Sequence, residues 1–258
     1  MNRLLRFETR KMLMRKSLYI VFAVMVGIQA LLTFLPFILA RDVSEEIFGA
    51  AMLKTEGTGA GSTMITAACG SFTVFTAILI PMYITGDYLL HTNKTVLASG
   101  YSRTAVFTAR FIVSEAVTLL MLLLSMAVHC VLAVVLQKAV LTDLGSVLPR
   151  LLAVMLLAAA ITAVWVTLSC CMRSNGGAIA ICLLISLMLD TVLSLLDDLF
   201  AIKNIDIRLQ SISVFDAFSQ MNRADPGAAA ITQALIIGAV WLVLFYLLGR
   251  IVVKKQEV

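Results

Sequence analysis

Apolar residues in this chain come in long unbroken blocks, not in the short steps of an amphipathic helix or strand. A helix needs roughly 20 mostly apolar residues to cross a bilayer. Six blocks meet that length: Ser17 to Ala40, Thr63 to Leu90, Thr104 to Leu136, Leu151 to Met172, Gly176 to Leu196, and Ala229 to Val253. The first is longer than the core of a signal peptide and no small-residue cleavage site follows it, so it is predicted to remain as a span. The predicted fold class is an all-α membrane protein, with residues 1–258 forming one transmembrane domain.

Two segments between the blocks carry their own pattern. Residues 1–16 are too polar to span, yet Arg3, Arg6 and Arg10 share one helical face while Leu4, Phe7 and Met14 cluster beside it. This predicts a helix lying along the inner membrane surface; because Leu5 and Met12 point elsewhere, a plain basic flank is the alternative. The stretch from Asp197 to Gly227 is too long for a turn and keeps helical spacing in Ile205, Leu209, Ile212 and Phe215. Short helices dipping toward the outer face are expected there, ended by Pro226 and Gly227.

Composition agrees: 61% of the 258 residues are hydrophobic and 14% charged, against roughly 45–50% apolar in soluble domains. The net charge of +5 does not point to nucleic acid, because the basic residues flank the apolar blocks instead of covering one polar face. They act as topology signals, since cytoplasmic loops are enriched in Lys and Arg. Arg3, Arg6, Arg10, Lys11, Arg15 and Lys16 against the single acid Glu8 put the N-terminus in the cytoplasm. Six spans then place Lys94, Arg103, Arg110, Arg173, Arg250, Lys254 and Lys255 inside. Asp42, Glu45, Glu46, Glu56, Asp143, Asp197, Asp198, Asp206, Asp216 and Asp225 fall outside. The expected location is the cell membrane, multi-pass, with both termini cytoplasmic.

Catalytic chemistry finds little support. No Gly-x-x-x-x-Gly-Lys-Ser/Thr loop is present to cradle phosphates, and the run Gly57, Gly59, Gly61 lacks the lysine, so the chain is not expected to hydrolyse ATP by itself. The five cysteines lie inside apolar stretches and read as packing residues. With two histidines, His91 and His129, and no ligand spacing, no metal centre is expected; His129 is expected at the outer interface. Two acids fall inside spans, where a charge is costly and marks a functional candidate. Glu115 and Asp190 are therefore candidates for a translocation path, with pairing of Glu115 to Arg110 or Arg173 and snorkelling of Asp190 as the competing readings.

The most informative segment links the second and third blocks: Pro81-Met82-Tyr83-Ile84-Thr85-Gly86-Asp87-Tyr88, then Asn93-Lys94-Thr95-Val96-Leu97-Ala98-Ser99-Gly100-Tyr101-Ser102-Arg103. It resembles the type-2 ABC exporter permeases, in which an acidic-aromatic pair and a Gly-Thr-Lys-like turn precede a short leucine-containing helix, a small-residue turn and a Ser-Arg. The Thr92-Asn93 pair replaces the expected glycine, and Arg110 stands where a lysine is usual. The resemblance implies an interfacial N-terminal helix, six spans and a long outer excursion between the fifth and sixth. It also implies a coupling helix seated on a separate ATPase, which maps to Gly86, Asp87, Tyr88, Lys94, Leu97, Ser102 and Arg103. The implied partners are cytoplasmic ATPase subunits carrying ATP and Mg, a second permease subunit in a homodimer or heterodimer, and membrane lipid. The implied cargo is a peptide, as in peptide export or self-immunity to bacteriocins and lantibiotics, or a drug. An ion-gradient-driven secondary transporter is the main alternative; an intramembrane enzyme would need a catalytic dyad that the sequence does not show.

Overall fold

The computed structural model describes residues 2–40, 65, 68–69, 72–89, 96, 98–137, 144–172, 174–202, 208–222 and 226–255, the side chains of 32–40, 88–89, 133, 136–137, 144 and 146 excepted. All regular structure among them is helical. In chain order the helices are α1 (Asn2–Leu13), α2 (Lys16–Ala40), α3 (Phe72–Leu89), α4 (Arg103–Gln137), α5 (Leu144–Cys171) and α6 (Asn175–Ile202). A 3-10 turn (Gln210–Ile212), α7 (Val214–Met221) and α8 (Ala228–Lys255) follow.

Among the described residues four helices are long and apolar enough to cross a bilayer: Arg103–Leu132, Val147–Cys171, Asn175–Ile202 and Ala228–Lys255. A fifth arises if α1 and the described part of α2 count as one span, bent by 59° between Asn2–Leu13 and Lys16–Leu31. The apolar stretch of α3, Phe72–Asp87, is shorter, and most of the expected second block ahead of it lies outside the described residues. Helices of this length and apolar character are consistent with a membrane protein. The boundaries sit close to the apolar blocks, with two corrections: α5 begins at Leu144 and not at Leu151, and α6 continues to Ile202, so Asp197 and Asp198 belong to that helix and not to the loop after it.

The α5 helix is the axis of the bundle. It touches α3, α4, α6, α7 and α8, and Ala153, Ala158, Ala160, Ala163 and Trp165 on it are fully buried. Alanines permit this because small side chains let neighbouring helix backbones approach closely, the dominant packing device where lipid removes the hydrophobic drive. The same device operates where α8 crosses α4 and α5. A Cβ on Gly249 would lie 2.5 Å from Cζ of Phe107 and 2.9 Å from Oγ1 of Thr167. By contrast α6 and α8 leave broad apolar faces exposed, including Leu184, Leu187, Leu195, Val243 and Leu247.

Several hydroxyl groups inside the bundle are satisfied locally. Thr76, Thr118, Thr162 and Ser169 each donate to a carbonyl one turn back, Thr118 at 2.8 Å to Ser114 and Ser169 at 2.6 Å to Trp165. This back-bonding lets a hydroxyl sit in an apolar helix without an orphaned donor. Gln29 on α2 bridges two elements, donating to the Ala68 carbonyl at 2.8 Å and accepting from Ser125 at 2.7 Å. His129 is buried within the bundle, its Nδ1 2.7 Å from the Ser125 carbonyl oxygen.

Between α6 and α8 the chain turns back into the bundle. The Asp197 carboxylate accepts from the backbone N–H groups of Leu209 and Gln210 at 2.7 and 2.9 Å, opening the 3-10 turn. Ser213 caps α7 by accepting from the N–H of Phe215 and Asp216, the interaction that makes serine a favoured N-cap. At the other end Arg150 on α5 donates through Nε and Nη2 to the Met221 carbonyl at 3.1 and 2.6 Å, a cation on the negative end of the helix dipole. Phe215 packs on Trp165 and Phe218 on Phe72, with ring centroids 5.4 and 5.7 Å apart. Short helices lie within the expected segment, but Ile212 at the end of the 3-10 turn is exposed whereas Phe215 is buried, so the two do not share one face; α7 is buried on Val214, Phe215, Ala217, Phe218 and Met221. Ile205 lies outside the described residues.

Candidate functional site

The densest concentration of charge inside the protein forms where α1 meets α3 and α4. The α1 helix buries a stripe of Leu4, Glu8 and Met12, residues four apart and therefore on one face. This corrects the sequence expectation, in which Phe7 and Met14 were to lie with Leu4: both are exposed, at 51% and 67%. Placing an acid at the centre of a buried stripe requires cations around it, since an unpaired buried charge is strongly unfavourable.

Those cations come from three elements. Lys11 Nζ lies 3.3 Å from Glu8 Oε2, and Arg110 Nε on α4 lies 3.4 Å from Glu8 Oε1. The Tyr83 hydroxyl on α3 donates to Glu8 Oε2 at 2.7 Å. Asp87, one turn further along α3, pairs with Lys11, with Arg15 Nη2 at 3.4 Å and with Arg110 Nη2 at 2.8 Å. Both carboxylates are fully buried and Arg110 is nearly so, whereas Lys11 and Arg15 keep 18% and 23% of their side chains exposed. The Tyr83 ring also lies beneath the ammonium of Lys11 and the guanidinium of Arg15, each 5.5 Å from its centroid.

Gly86 makes the approach of Arg15 possible. Arg15 Nη1 donates to the Met82 carbonyl at 2.9 Å, and a Cβ on Gly86 would stand 3.0 Å from that nitrogen. With three cations and two carboxylates the cluster has a formal excess of positive charge, and it fixes α1 to the end of α3 and the second turn of α4. A small apolar cluster continues the contact: Leu4 with Val106 and Ala109, flanked by Leu5, Val96, Tyr101 and Ala105. Val96 and Tyr101 of the segment joining α3 to α4 therefore pack against this cluster. It closes with Gly100 at φ +89°, a left-handed conformation that glycine adopts without strain, and with Ser102, whose Oγ accepts from the Ala105 N–H at 3.2 Å to start α4.

Of the residues singled out by sequence, Gly86 and Asp87 lie in the cluster, Ser102 caps α4, and Arg103 is the first residue of that helix. Tyr88 is helical with its side chain outside the described residues, and Lys94 and Leu97 lie outside them. Glu115 does not pair with Arg110, which is engaged by Glu8 and Asp87. Both Glu115 carboxylate oxygens are enclosed and, like the neighbouring Ser114 hydroxyl, have no hydrogen-bond partner among the described residues. Arg173 lies outside the described residues. Asp190 is half-buried and accepts from Ser213 Oγ at 3.4 Å, which puts it beside the start of α7.

Sequence reading missed Glu8, Lys11, Arg15, Tyr83 and Arg110 as members of one site. Its signals were nonetheless present: a lone acid at the middle of a basic helix, in register with Leu4 and Met12, and opposite charges at Asp87 and Arg110 set inside consecutive apolar blocks. Searches for known relatives add nothing to this geometry: no family model matches the chain, and no curated protein is significantly similar to it.

Proposed function

We propose that the chain is the membrane subunit of an ATP-driven exporter of the type-2 ABC class, working with a separate cytoplasmic ATPase. In this reading it has six spans, α1 lies on the inner surface, both termini are cytoplasmic, and the 3-10 turn and α7 re-enter from the outer side. The observation that carries the proposal is the ion cluster of Glu8, Lys11, Arg15, Asp87 and Arg110. It turns the root of the α3–α4 segment into a rigid junction of three helices, so a push delivered to residues 90–102 reaches α1, α3 and α4 together. Rigid-body transmission of this kind is how nucleotide-driven closure moves a transporter. Asp87 then acts by holding the junction, while Lys94, Leu97 and Arg103 are the residues proposed to meet the ATPase. A second copy of the chain or a similar permease would complete the path, and the proposed cargo is a peptide, drug or other amphipathic molecule.

A second reading is favoured by one observation, the enclosed Glu115 carboxyl with no hydrogen-bond partner among the described residues. Ionisable groups inside a membrane commonly serve ion-driven transport, and a secondary transporter would use such a group. One experiment separates the two: affinity purification of the tagged chain from its native membrane, followed by transport in vesicles. Recovery of an ATPase subunit lacking spans, with transport requiring ATP, is the expected result. Transport by the chain alone, driven by a proton gradient without ATP, would overturn the exporter proposal and support the second reading.

A further inference from the structure

The cations of α1 divide between two sides of the helix. Lys11 and Arg15 turn toward α3 and are held by Glu8 and Asp87. Arg3, Arg6 and Arg10 turn away; all three are exposed. At roughly 100° per residue they share their face with Phe7, Leu13 and Met14, which are exposed at 51%, 41% and 67%. Arginines interleaved with large exposed apolar side chains suit a helix lying between lipid headgroups and acyl chains.

At the 59° elbow between α1 and α2 this face folds into an open cleft of about 520 Å³, lined by Arg6, Thr9, Arg10, Leu13, Met14 and Tyr19. Arg6 and Arg10 are one turn apart, so their guanidinium groups can converge on one anion. Leu13, Met14 and Tyr19 supply an apolar wall beside them, with Tyr19 59% exposed. A guanidinium matches phosphate oxygens as a planar, two-pronged donor. Free phosphate would use the arginines and waste the wall, whereas a phospholipid uses both.

We propose that the elbow cleft binds the headgroup of an anionic phospholipid, with Arg6 and Arg10 on the phosphate and Leu13, Met14 and Tyr19 along the glycerol and first acyl carbons. The assignment rests on the surface placement of α1 proposed above, and not on the ATPase. A zwitterionic choline headgroup carries the same phosphate but adds a cation facing two arginines, so an anionic lipid is preferred. Occupancy would anchor the face of α1 opposite the ion cluster and tie the junction to the composition of the inner leaflet.

The test uses the purified full chain in detergent with phosphatidylglycerol, phosphatidylcholine and inorganic phosphate as probes, lipid binding being read by native mass spectrometry. The expected result is a preference for phosphatidylglycerol of roughly 10- to 30-fold, the scale set by two arginines at an anionic surface, with inorganic phosphate unable to displace the lipid. The double variant Arg6→Gln, Arg10→Gln should lose that preference while its melting temperature stays within about 2 °C of wild type, because exposed substitutions perturb folding little. A double variant that keeps the preference, or displacement by inorganic phosphate, would overturn the proposal. In bilayers, a fluorescent residue placed at Met14 should be quenched by brominated acyl chains. Absence of quenching overturns the surface placement of α1 itself; quenching without phosphatidylglycerol preference overturns the headgroup site alone.

Discussion

Replacing Asp87 by asparagine keeps the shape of the side chain and removes one of the two negative charges that hold three cations. Asp87 is fully buried and takes Arg110 Nη2 at 2.8 Å, Arg15 Nη2 at 3.4 Å and Lys11. The variant leaves Glu8 as the one carboxylate of the cluster, paired with Lys11 and Arg110. Lys11 and Arg15, at 18% and 23% exposure, can turn to water, but Arg110 at 6% cannot. Breaking a buried pair by removing one partner costs about 3–5 kcal/mol; with two of the cations able to rehydrate, the lower end, about 3 kcal/mol, is expected. At about 2–4 °C per kcal/mol for a chain of this size, the melting temperature should fall by roughly 6–12 °C. The assay is a thermal melt of the purified protein in detergent, read by size-exclusion chromatography. Adding Arg110→Met removes the stranded cation, so the double variant should be more stable than the sum of the two singles by roughly 1–3 kcal/mol. If Asp87→Asn melts within about 1 °C of wild type, or the two changes simply add, the cluster does not hold the junction as described.

Other sites respond differently. Glu115→Gln swaps a carboxyl whose enclosed oxygens have no hydrogen-bond partner among the described residues for an amide of the same shape, so the same melt should show unchanged or higher stability; a loss above about 1 kcal/mol would reveal a partner and remove Glu115 as a candidate for the second reading. Arg150→Met leaves the Met221 carbonyl without its two donors and should raise hydrogen exchange across residues 208–222, with a cost of about 1–3 kcal/mol; unchanged exchange there would mean that α7 docks without the arginine. Gly249→Ala drives a methyl to within 2.5 Å of the Phe107 ring and should cost about 1–3 kcal/mol in a melt through overpacking; a neutral result would show that α8 shifts freely against α4.

The long apolar blocks at 104–136, 151–172, 176–196 and 229–253 were enough to locate α4, α5, α6 and α8, because a membrane demands helices of a length that the blocks themselves display. Short helices do follow α6, but not on the spacing of Ile212 and Phe215, because the extended Ser213 separates the two and leaves Ile212 exposed while Phe215 is buried. What sequence periodicity could not settle was which side of α1 faces the protein. Its arginines and apolar residues fit two arrangements, and only packing against Tyr83, Asp87 and Arg110 selects the stripe of Leu4, Glu8 and Met12. The role of Asp87 was hidden for the same reason: at the end of the second apolar block it reads as part of the ATPase-coupling segment, yet its partners Lys11 and Arg15 stand more than seventy residues earlier in the chain. Hydrophobic length is a local property and can be read along the chain, whereas ion pairing depends on which helices meet, and that was decided by the alanine-lined centre of α5 and the close approach at Gly86.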